Sequence, residues 1–283
     1  MKHRRNKKAV SPVISTVIIT ATIVVLVLVA AVFANNFLSA RMAESDFNAA
    51  KQFMKTMGLQ IDDVAWRIGQ TETIRYTSRD GDVNFLNATL NYKIEINTGS
   101  GFTLFSANDT GIIFFKMPVS KYTVSNNYYE LIWPAQISNI MLKGSSAPVS
   151  KVFAVEKLQN MSDGSYIRVV TAPMIRQINS TITTATNSTF YFKLYLPLLS
   201  LESAPKKSQS VTLTGNSILV KTKNHITSIK VTVSFPKSGL GYDNAFFNFP
   251  SSLQETINTP PGYDDCVIEL YTGAVSVELG AHV

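Results

Sequence analysis

The sequence predicts an α+β protein: a long N-terminal α-helix, transmembrane in its first part, followed by a mostly antiparallel β-sandwich. Three observations predict it. No charged residue occurs from Ala9 to Ala40; an apolar period of three or four follows as far as Ile68; and period-two alternation broken by glycine turns fills the remainder. The expected organisation is a basic leader over 1–9, a membrane-spanning segment over 10–34, an amphipathic helix extension over 35–69 and a β-rich domain over 70–283, with a candidate internal boundary near 205.

The leader concentrates charge. Lys2, Arg4, Arg5, Lys7 and Lys8 supply five of the seven net positive charges, so the rest of the chain carries only about +2. No Lys/Arg stripe interleaved with aromatics remains, which argues against a nucleic-acid partner. The charged fraction of 16% lies below the roughly 25% of ordinary soluble domains.

Val10 to Ala34 is dominated by Val, Ile, Ala and Leu. About 20 such residues at 1.5 Å each cross the bilayer core, and a secretory signal has an apolar core of only about 7–15. Five basic residues before the run, against Arg41 offset by Glu44 and Asp46 after it, keep the N-terminus in the cytoplasm and place the β-domain outside as an ectodomain. Ser11 is suited to cap the helix by accepting a backbone N–H, and Pro12 to open it, because its missing donor costs nothing in the first turn.

The string Lys7-Lys8-Ala9-Val10-Ser11-Pro12-Val13-Ile14, continuing through the apolar run to Phe33, resembles the N-terminal region of archaeal type IV pilins. The resemblance covers about 35 residues. It implies that a prepilin-type peptidase cuts after Lys8-Ala9 on the cytoplasmic side and leaves Val10 as the new N-terminus. It further implies a subunit anchored in membrane lipid before its helix packs against copies of itself or other pilin-like subunits in an extracellular filament for adhesion. The ectodomain is large for a pilin and the leader short, so a single-pass surface protein that displays a β-sandwich binding domain without polymerising is the alternative.

Beyond the membrane segment, Leu38, Met42, Ala50, Phe53, Met57, Ile61, Val64 and Ile68 share one helical face, with Asp46, Lys51, Lys55, Gln60, Asp63 and Arg67 opposite. The expected helix runs from Pro12 to about Ile68, with Gly58 as a candidate bend and Gly69 as its stop. Strands are expected at 88–96, 112–117, 128–132, 151–156, 166–171, 189–196, 211–214, 217–223, 229–235 and 275–279. Ser203-Ala204-Pro205-Lys206-Lys207-Ser208 reads as a linker, so a second β-domain starting near Gln209 is an open alternative.

Chemistry-bearing motifs are sparse. The chain has three histidines and one cysteine, and no HExxH, phosphate-binding glycine loop or Cys/His cluster. No intramolecular disulfide can form, and Cys266 reads as a small core residue. Asp264-Asp265 reads as a solvated turn rather than a calcium site, and Asp62-Asp63 as helix surface. Glu156 and Glu202 have no spacing-defined partner. No catalytic, cofactor or metal site is expected. Five sequons, at Asn87, Asn108, Asn160, Asn179 and Asn187, all fall on the side predicted to be outside, as candidate N-glycosylation sites.

Overall fold

The computed structural model of the protein describes residues 12–122, 124–125, 127–157, 161, 164–204 and 210–280. The leader, Ser11, Asn160 and most of the predicted linker therefore lie outside the described residues. One long helix, α1 (Pro12–Ala65), apolar in its first part, precedes a mostly β, antiparallel-rich domain. The chain divides into two units, Met1–Ser45 and Asp46–Val283.

The second unit carries thirteen strands among its described residues. They are β1 (Thr71–Arg75), β2 (Asp82–Asn97), β3 (Phe102–Pro118), β4 (Tyr129–Trp133), β5 (Met141–Lys143), β6 (Ser150–Lys157), β7 (Tyr166–Pro173), β8 (Ile175–Thr183), β9 (Ser188–Ser203), β10 (Ser210–Lys223), β11 (Ser228–Ser234), β12 (Gln254–Asn258) and β13 (Asp265–Leu279). A single helical turn, α2 (Asn244–Phe247), precedes β12. Six strands form one sheet in the order β1-β10-β13-β9-β8-β5, and seven form the other in the order β12-β11-β2-β3-β7-β6-β4. Pairing is antiparallel except between β9 and β13 and between β5 and β8. The strands on either side of the predicted linker, β9 and β10, both pair with β13 and so belong to one sheet.

Alternation decides which side chains meet. Leu90, Tyr92 and Ile94 of β2, Phe114 of β3, Phe153 of β6 and Val231 of β11 join Phe192, Leu194 and Leu196 of β9 and Ile268 and Leu270 of β13 in one buried apolar cluster. Each such side chain contributes on the order of 1.5–3 kcal/mol when fully buried. The 211–214 and 217–223 segments, expected as separate strands, are one strand with a bulge between Gly215 and Ser217. Strands β1, β5, β8 and β12 were not legible, being short or polar. In β8, Gln177, Asn179 and Thr181 alternate with Arg176, Ile178 and Ser180, which gives neither face an apolar signature.

Residues 46–65 of α1 pack on the other face of the seven-stranded sheet. Phe47, Met54, Met57, Ile61 and Val64 are essentially fully buried, Thr171 donates to the Met54 carbonyl at 2.9 Å, and Ser150 donates to the Gly58 carbonyl at 2.9 Å. Phe47 and Met54 lie outside the face read from the sequence. Leu38, Met42 and Ile68, which were placed on that face, are exposed. The helix is unbroken at Gly58. A Cβ there would stand 2.9 Å from Ser150 Oγ and from Val152 Cγ2, so the glycine serves close approach of a strand rather than a bend.

The helix stops at Ala65, short of the expected Ile68, because its end abuts backbone. A Cβ on Gly215 would lie 2.4 Å from the Val64 carbonyl oxygen, and one on Gly273 would lie 2.3 Å from that of Ala65. The chain then turns through Gly69, at φ +81°, whose N–H donates to the Gly215 carbonyl at 2.7 Å. Gly273→Ala is expected to destabilise the protein by about 1–3 kcal/mol, since the obstructing atom is main chain and cannot swing away. Gly239→Ala, with open space around its Cβ, is the matched control. Thermal melts of the full chain in detergent check the difference.

Candidate functional site

The apolar part of α1 is the outstanding surface feature. By length and composition, α1 contains the one helix among the described residues able to cross a membrane. Ile23, Val24, Val25, Leu26, Val27, Leu28 and Val29 are consecutive and all more than half exposed. Seven residues make about two turns, so apolar surface covers the whole circumference instead of one stripe. Val32, Phe33 and Phe37 extend it, and Phe33 is 72% exposed.

Two hydroxyls in the apolar segment are satisfied within the helix. Thr20 Oγ1 donates to the Thr16 carbonyl at 2.9 Å, and Thr22 Oγ1 to that of Ile18 at 2.8 Å. Neither hydroxyl therefore requires water. A shallow groove runs beside them, lined by Thr16, Val17, Thr20, Ala21, Val24 and Val25. Charge returns at Arg41, which pairs with Glu44 at 2.7 Å and lies 5.3 Å from the Phe37 ring centroid.

Pro12 is the first described residue and already lies in α1. Lys8, Ala9, Val10 and Ser11 lie outside the described residues. Asn179, on β8, and Asn187, in the turn before β9, are exposed, as is Asn187's following residue pair in part. Asn87 is exposed, with its Oδ1 accepting from the Leu201 N–H at 3.2 Å, while Asn108 is half-buried and donates to Ser106 Oγ at 3.0 Å. The hydroxyl residues of these last two sequons, Thr89 and Thr110, are buried.

The acidic pairs are committed to protein donors. Asp264 Oδ2 accepts from the Ser188 N–H at 2.7 Å, and Asp265 Oδ1 accepts from the N–H groups of His225 and Cys266 at 2.9 and 2.7 Å. Asp62 binds Arg176 and Trp66 Nε1, at 3.0 and 2.9 Å, and Asp63 binds Arg67 at 3.2 Å. Glu156 is buried and accepts from the Val124 N–H at 3.0 Å. Among the described residues no three His, Cys, Asp or Glu side chains converge on a metal position.

Three features were not foreseen from the sequence. A hollow of about 280 Å³ lies between α1 and the segment after β1, lined by Asp46, Phe53, Arg75, Tyr76 and Phe115 among others. His225 Nδ1 stands 3.0 Å from Asp265 Oδ1 beside Cys266, in an open hollow. Burial and the adjacent Asp265 push the Cys266 thiol up, the reverse of nucleophile activation. Lys151 is wholly buried, donates through Nζ to the Phe247 carbonyl, and has the Phe249 and Phe153 ring centroids at 4.1 and 5.0 Å. Burial lowers its pKa from 10.5 to about 7. These placements depend on contacts between distant strands and have no local sequence signature. No protein family, curated protein or solved structure matches this chain.

Proposed function

We propose that the chain is an archaeal type IV pilin-like subunit, anchored in the membrane before assembly into an extracellular filament that serves as a surface appendage. The observation that carries the reading is the circumference of α1 around Ile23–Val29, apolar and exposed on every side. Such a surface is stable only against lipid tails or against equally apolar neighbours. The Ala9-Val10-Ser11-Pro12 boundary beside the basic leader supports a helix built for both in turn: lipid first, then copies of itself once a prepilin-type peptidase has removed residues 1–9. The asymmetry of Lys and Arg supports a cytoplasmic N-terminus and an external β-domain. Two sheets sharing one apolar cluster support reading that domain as a β-sandwich.

The test is the mass of the mature N-terminus. A chain beginning at Val10, recovered from sheared filaments, is the expected result; an intact Met1–Ala9 leader on the protein at the cell surface overturns the reading. Glycopeptide mapping in the same material is expected to find sugar at Asn187 and Asn179, whose side chains are open to solvent. The alternative, a surface protein that stays monomeric in the membrane, predicts the same topology but no loss of filaments on deletion of the chain.

A further inference from the structure

The second half of β10 has a free edge. β1 pairs only with Ser210–Thr214, whereas Ser217–Lys223 pairs with β13 on one side and, among the described residues, with no strand on the other. Leu219 and Val220 there are 63% and 51% exposed. An open edge offers a row of unpaired N–H and C=O groups, and proteins blunt such edges with charge, as Lys221 and Lys223 do at one end of this one. The Ser217-Ile218-Leu219-Val220 end carries no such block.

A matching edge exists on the same chain. β12 closes the seven-stranded sheet and pairs only with β11 among the described residues. Glu255 and Ile257 of β12 stand opposite Val231 and Ile229, so both point to the core side of their sheet. On β10, Leu219 and Lys221 stand opposite Thr272 and Leu270, which puts them on the core side of theirs. Glu255 has one oxygen 2.7 Å from Lys143 Nζ, while its other, Oε2, is buried and has no hydrogen-bond partner among the described residues. Among the described residues, Lys221 reaches only the Ser106 hydroxyl, at 3.3 Å.

We propose that β12 of one copy of this chain adds antiparallel to the free edge of β10 on a second copy, with Glu255 opposite Lys221 and Ile257 opposite Leu219. In that register Thr256 faces Val220, and the Glu255 carboxylate, already held by Lys143, lies across the seam from the Lys221 ammonium, so their opposite charges favour this register. Main-chain hydrogen bonds supply the pairing and these side chains set its register. The two edges are different surfaces, so the contact is head-to-tail and propagates instead of closing in a dimer. It rests on the reading that apolar helices bring copies side by side, because five paired residues alone make a small interface.

Cysteine cross-linking in full-length chains in cells tests it. Val220 and Thr256 are both exposed, so Val220→Cys and Thr256→Cys leave the core intact. Under mild oxidation the double variant is expected to form a ladder of dimers and higher species, at least tenfold above wild type, which retains the buried Cys266. A mixture of the two single variants is expected to stop at dimers. Dimers from Val220→Cys alone, or no ladder from the double variant, overturn the proposal. Lys221→Glu is expected to reduce the ladder and Lys221→Glu with Glu255→Lys to restore it. Filaments without the ladder sink the strand contact alone; a ladder without filaments supports the contact and sinks the filament reading.

Discussion

Lys151→Met is expected to stabilise the protein at neutral pH and to destabilise it above about pH 9. The side chain is wholly buried and burial is what lowers its pKa from 10.5 to about 7. The sign follows from proton binding. Between pH 10.5 and 7 the unfolded chain takes up a proton at Lys151 that the folded chain refuses, so native stability falls as pH falls through that window and levels off below about 7. At 1.36 kcal/mol per tenfold, the full loss is on the order of 5 kcal/mol. Methionine has similar reach and no charge, so it escapes this loss. It also strips the Phe247 carbonyl of its donor, costing about 1–3 kcal/mol for a buried acceptor. The two terms cross near pH 9, where the lysine penalty has shrunk to about 2 kcal/mol. Chemical denaturation of both proteins at pH 6, 7.5 and 10 checks this, and a difference constant across that range would contradict it.

What made Lys151 invisible in the sequence also explains which parts of the fold were not legible there. Ser150-Lys151-Val152-Phe153 reads as an ordinary strand, and the period of two puts Lys151 on the same face as Phe153. Both faces of β6 are nevertheless covered: Phe153 joins the cluster between the sheets, while Val152 lies 2.9 Å from the Cβ position of Gly58 on α1. Local alternation reports that a strand has two faces, not what covers each. The long apolar helix, the strands with β-branched alternation and the glycine turns were legible because their causes lie within a few residues. The parallel pairing of β9 with β13 joins residues more than 70 positions apart and was not. Gly215 and Gly273 were equally silent, since their role is to let the end of α1 rest on bare backbone. The leader string supplied the pilin resemblance because its parts are contiguous, whereas the free edge of β10 exists only once every other strand has found its partner.

Leu26→Asp is expected to remove the protein from both membrane and filament by about a hundredfold. Leu26 lies in the middle of the uncharged run and is 62% exposed on the helix. An aspartate at the centre of a membrane helix costs about 2.5–3.5 kcal/mol, and 1.4 kcal/mol is a factor of ten. Leu38→Asp, close to Arg41 and the end of the run, is expected to cost far less because the carboxylate reaches the interface. Quantitative blotting of membrane and sheared-filament fractions measures both, and wild-type recovery of the Leu26→Asp chain would refute the membrane reading. Ala21→Leu separates the two functional readings. Leucine is at least as apolar as alanine, so lipid partition is unimpaired, but its volume fills the groove between Thr16, Thr20 and Val24 against which a neighbouring helix would pack. A subunit that assembles through its helices loses filaments while keeping its membrane-bound pool. A monomeric anchor shows no change in either fraction, because lipid tails adapt to the added methyl groups and a second protein helix does not.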